Sequence, residues 1–185
     1  MSSSQAPLQG KKIAVLAENL YEDLELWYPA IRMKEAGAQV KIVGSGSNTS
    51  YKGRNGLEVK PDLIADNIAA ADFDAVIIPG GVAPDYMRRY PAVVNFVREM
   101  NNQGKVVAAI CHAGSLLVST GILKGRTITC FKSIKDDVVN AGATYVDREV
   151  VVDRNLVTSR TPDDLPVFAR TIISTMTEAP LQIQR

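Results

Sequence analysis

A cysteine standing where an apolar strand turns into a helix is set up as a nucleophile, and Cys111 has that setting. Lys105-Val-Val-Ala-Ala-Ile110 precedes it and His112-Ala113-Gly114 follows. A sharp strand-to-helix turn pushes the sulfur toward solvent, and the positive end of the helix behind it favours the thiolate, so a lowered thiol pKa is expected. Small residues at Ala109, Ala113 and Gly114 leave room for such a turn. Cys130, the other cysteine, reads instead as an inert core thiol.

His112 is the only histidine in the chain. A Cys-His-acid triad with its base far downstream, around Thr158 to Asp164, is thereby excluded. An imidazole base must be the residue next to the nucleophile, or the same residue of another subunit. Glu22 lies in Glu18-Asn-Leu-Tyr-Glu22-Asp23-Leu-Glu25, where a carboxylate close to the elbow could share the proton of the thiol or act as general acid and base. Asp23 and Glu25 read as acids that favour the positive N-terminus of the following helix. Gly80-Gly81 offers amides at another strand end, as an oxyanion site requires.

The elements that must position these residues follow the rhythm of a parallel sheet covered by helices, in which ligands collect at the carboxyl ends of the strands. Strands are expected at Ile13 to Ala17, Val40 to Gly44, Phe73 to Ile78 and Lys105 to Ile110, then near Thr127 to Cys130, Glu149 to Val152 and Leu156 to Thr158. Helices are expected over Asp23 to Ala36, about Pro91 to Asn102, Ser115 to Thr120, Ile134 to Ala141, and Pro162 to about Thr177. Asn55-Gly56 between Tyr51 and Val59 marks a small hairpin. Residues 1–11 and 181–185 are expected as tails around a single domain at 12–180.

The 185 residues suit one domain able to bury its own core. A formal net charge of +1 offers no electrostatic footprint for nucleic acid or an anionic membrane, so neither is expected as a partner. Two cysteines form no disulfide framework, the N-terminus has no secretory pattern, and no apolar run is long enough to span a bilayer; a cytoplasmic location is expected. One histidine and two separated cysteines give no metal ligand set. Gly44-Ser-Gly46-Ser-Asn has neither dinucleotide nor Walker spacing, so no cofactor is expected and the segment reads as a loop.

Six segments in order together resemble the PfpI-type branch of the ThiJ/PfpI superfamily. They are Tyr21-Glu22-Asp23-Leu24-Glu25 with Tyr28-Pro29, Ile78-Pro79-Gly80-Gly81-Val82-Ala83-Pro84-Asp85, Ala109-Ile110-Cys111-His112-Ala113-Gly114, Ile134 to Gly142, Glu149 to Asp153, and Thr158 to Leu165. The resemblance implies a flavodoxin-like α/β three-layer sandwich, mostly parallel, with helices on both faces. It implies Cys111 as the elbow nucleophile, Glu22 as the carboxylate touching it, and the Gly81 and His112 amides as the oxyanion site. It further implies a homo-oligomer, a dimer or a hexamer, in which Asp85 of a neighbouring subunit orients His112. Two departures stand out: Cys-His-Ala-Gly replaces the more frequent Cys-His-Gly-Pro, and Asp85 is one methylene shorter than the glutamate of some relatives.

Three activities fit these residues. A glutathione-independent glyoxalase or protein deglycase would add the Cys111 thiol to a reactive aldehyde or a glycated protein, with Glu22 moving the proton; this demands least of the geometry. A peptidase or amidase would need Cys111 and His112 completed by Asp85 of a neighbour, and would take a peptide. A stress chaperone or redox sensor would use Cys111 through its oxidation.

Overall fold

Runs such as Ile13-Ala-Val-Leu-Ala17 and Ala75-Val-Ile-Ile78 are apolar on both alternating faces, so the strands they form must be covered on both sides. Residues 6–177 are described by the computed structural model. In chain order the elements are β1 (Lys12–Ala17), α1 (Asp23–Glu35), β2 (Gln39–Gly44), β3 (Tyr51–Lys52), β4 (Glu58–Val59), β5 (Leu63–Ile64), β6 (Ala75–Ile78), α2 (Ala83–Met87) and α3 (Pro91–Asn102). There follow β7 (Val106–Ile110), α4 (Gly114–Thr120), β8 (Thr127–Ile128), α5 (Lys135–Asn140), β9 (Thr144–Tyr145), β10 (Val150–Asp153), β11 (Leu156–Ser159) and α6 (Leu165–Thr177).

Seven strands make the main sheet in the order β10-β11-β7-β6-β1-β2-β5. All pairs are parallel except β10 with β11. Helices α1 and α6 pack together on one face, while α2, α3 and α4 pack together on the other, giving three layers. Apart from the edge strands β5 and β10, this is the flavodoxin-like order, and the chain reverses its direction of winding between β1 and β6. The loops leaving β1, β6 and β7 therefore lie side by side at one end of the sheet.

The hairpin of β3 and β4 folds over that end and is pinned there. Leu20 donates its amide to the Lys52 carbonyl at 2.8 Å and Arg54 donates to Tyr21 at 2.9 Å. The Tyr21 hydroxyl donates to the Leu57 carbonyl at 2.6 Å. The Asp23 carboxylate accepts the Asn55 and Leu57 amides at 2.8 and 2.9 Å, so this acid holds a loop besides lying at a helix start.

Two details depart from expectation. Residues 6–11 are no loose tail: Leu8 is fully buried, and its amide donates to Ala36 at 2.8 Å. One apolar residue with a place under the end of α1 is enough to bind the segment to the core. Residues 1–5 and the expected 181–185 tail lie outside the described residues, as does the end of the domain at 180. Strand β8 spans only Thr127–Ile128 and pairs with β9 in a separate two-stranded sheet. Cys130 is buried, in keeping with the core role expected of it.

Candidate active site

Cys111 directly follows β7 with φ of +61°, a left-handed conformation that a residue with a β-carbon adopts only under constraint. The 3-10 turn Cys111–Ala113 then leads straight into α4. This is the expected elbow. The Gly81 and His112 backbone amides, which the resemblance implied as an oxyanion site, lie beside its sulfur and favour its charged form. Gly81 also holds a positive φ, of +78°, and bridges Tyr21 of the β1–α1 loop.

The carboxylate against Cys111 is Glu25, which corrects the expectation of Glu22. Glu25 is fully buried, accepts the Gly80 amide at 2.7 Å, and lies beside the Cys111 side chain, each acting on the other's titration. A β-carbon on Gly80 would stand 2.6 Å from Glu25 Oε2 and 2.7 Å from Cys111 Cβ, which shows how closely the two side chains converge. The reason lies in helix geometry. Glu22 precedes α1 with extended backbone, whereas Glu25 sits within its first turn, where side chains lean back toward the N-terminus and hence toward the strand ends. Glu22 turns instead to Arg54, its Oε2 lying 3.6 Å from the guanidinium Nε.

Burial raises the Glu25 pKa from 4.5 to about 8, with the neighbouring Glu22 charge acting in the same direction and the Gly80 amide against it. Its Oε1 is buried without a hydrogen-bond partner, a state that suits a neutral acid better than an anion. The Cys111 thiol is pushed up to about 12, first by burial and then by the charge of Glu25; the Gly81 and His112 amides oppose this. The expected lowering is thus reversed: at 7% exposure the sulfur is held as a thiol, and desolvation outweighs the amides.

The His112 ring stacks on Phe131 with centroids 4.8 Å apart. Its pKa is lowered by burial and then by the Arg54 charge, which keeps the imidazole neutral. Among the described residues no carboxylate bonds this ring. Asp85 lies exposed on α2, facing Arg88 at 3.9 Å and Arg89 at 3.8 Å, so the chain itself does not bring it to His112. Arg54 escaped the sequence reading; it reaches the site only because the hairpin folds back over it. An open concavity of about 420 Å³ lined by Thr127, Val146, Arg148 and residues 150–153 holds neither cysteine nor histidine. No group of metal-ligating side chains occurs among the described residues.

The sequence pattern of the DJ-1/PfpI family matches residues 11–175. The chain belongs to that family. It is 46% identical to the protein/nucleic acid deglycase 2 of Escherichia coli, over 86% of this chain and 94% of that one. It is 44% identical to the deglycase PfpI of Pyrococcus furiosus, over 88% of this chain and 97% of that one. Among solved structures, Drosophila melanogaster DJ-1beta superposes with a TM-score of 0.84 at 30% identity, covering 91% of each chain.

Proposed function

We propose that the protein is a cysteine-dependent enzyme acting on reactive carbonyls, a glutathione-independent glyoxalase or deglycase, with Cys111 as nucleophile and Glu25 as proton carrier. The observation that carries this reading is the buried contact between a thiol and a carboxylic acid that titrates near neutrality. Such a pair loses its first proton as a unit, and the remaining proton can sit on either partner. Its thiolate form is the nucleophile, and the Gly81 and His112 amides stabilise the negative sulfur.

With methylglyoxal, the sulfur bonds to the aldehyde carbon and Glu25 protonates the carbonyl oxygen, giving a hemithioacetal. The Glu25 carboxylate then removes the proton from that carbon and returns it to the adjacent one, while the hydroxyl proton of the first carbon passes to the ketone oxygen of the second, which converts the adduct to a thioester of lactate. Water cleaves the thioester, releasing lactate and restoring the thiol. One water is consumed, and no external oxidant or reductant is used. A glycated side chain would enter by the same addition step.

The Escherichia coli and Pyrococcus furiosus relatives, named as deglycases, support this reading. The peptidase alternative needs an acid on His112, which Asp85 of a neighbouring subunit would have to supply; an imidazole bonded to no carboxylate among the described residues favours carbonyl chemistry in the single chain. Lactate formation from methylglyoxal without glutathione is the test. Cys111→Ala should abolish it, and turnover that survives this substitution would overturn the assignment.

A further inference from the structure

The Arg54 guanidinium stands at the entrance to the site with no part in the proton transfer. The hairpin that carries it is fixed by the Arg54 amide on Tyr21 and by the two Asp23 bonds to the turn. Tyr21 bridges Gly81, and the Glu22 amide donates to Gly80 at 3.1 Å, so the same backbone that supports Arg54 frames Cys111. Its side chain is 60% exposed and touches one carboxylate, Glu22, at 3.6 Å. The charge of Arg54 is felt by Glu25 and by His112, the two groups that flank the sulfur.

A cation that faces solvent, acts on the two groups flanking a nucleophile and is held by one long ion pair retains guanidinium N–H groups for an incoming ligand. Glu22 shows the chemistry of that ligand, since a carboxylate is already the resident partner. We propose that Arg54 is a specificity-determining residue which recognises a carboxylate close to the reacting carbon, selecting aldehydes and glycation adducts that carry an acid group over neutral ones. Glu22 competes with the substrate for the guanidinium and sets how strongly the acid is preferred.

The substrate side of this inference rests on the carbonyl chemistry proposed above, but its test does not. Iodoacetate and iodoacetamide are nearly equal in size, alkylate a thiol by the same displacement of iodide, and differ in one negative charge. Their rates at Cys111, followed on the modified peptide by mass spectrometry, give a ratio that cancels changes in thiol reactivity. Arg54→Gln should lower the iodoacetate-to-iodoacetamide ratio about three- to tenfold, as expected for a partly exposed charge contact. Arg54→Lys should keep most of it, and Glu22→Gln should raise it. Added salt should shrink the wild-type preference. An unchanged ratio in Arg54→Gln, or a fall in Glu22→Gln, would overturn the proposal whether or not the protein turns over methylglyoxal.

Discussion

Cys111, Gly81 and His112 could be found from the sequence because each sits at a fixed place in a strand-to-turn pattern. The partner acid could not be chosen this way, because the β1–α1 segment holds Glu22, Asp23 and Glu25 within four positions. Only the direction in which helical side chains lean separates them, and Glu25 points into the site while Asp23 points to the hairpin. Burial of Glu25 has a measurable consequence. The folded protein keeps a proton that the unfolded chain releases near 4.5, so folding stability should fall as pH rises from there to about 8. Denaturant titrations across this window should show the loss in the wild type and a flatter profile in Glu25→Gln. Equal slopes would mean that the acid is ionised in the folded state.

Among the elements, the long strands and helices were legible from their apolar runs and spacing, and the hairpin from Asn55-Gly56. Strands β5 and β9, of two residues each, carry too little pattern to be read and exist because neighbouring strands offer them partners. How the hairpin docks is likewise a tertiary result, which is why Arg54 was missed. The β6–α2 turn gives a sharp test of packing at this scale. Gly80 has no space for a β-carbon between Glu25 and Cys111. Gly80→Ala should cost about 1–3 kcal/mol in stability by overpacking. It should also lower carbonyl turnover by more than about tenfold, since a small displacement of reacting groups is expensive. Thermal denaturation together with lactate formation would check both, and a variant with normal turnover would show that the contact is dispensable.

For the whole molecule, the sheet order and the side-by-side loops bring chemistry from three separated segments to one end, and the family match extends over residues 11–175. Assembly was expected from the resemblance and remains our proposal. Leu24, Tyr28 and Ile31 are exposed at helical spacing on α1, at 56%, 37% and 61%, an apolar stripe that a second copy could cover. Sedimentation equilibrium should find a homo-oligomer, and Ile31→Glu should weaken it; a monomer at micromolar concentration would refute assembly.

The most direct test of the central claim, that Glu25 moves the proton for Cys111, compares Glu25→Gln with Glu22→Gln in lactate formation from methylglyoxal. Glu25→Gln should lower kcat by about 10²-fold or more, as loss of a general acid and base does, while Glu22→Gln should change it less than about tenfold. The reverse order, or a Glu25→Gln enzyme with near wild-type kcat, would contradict it.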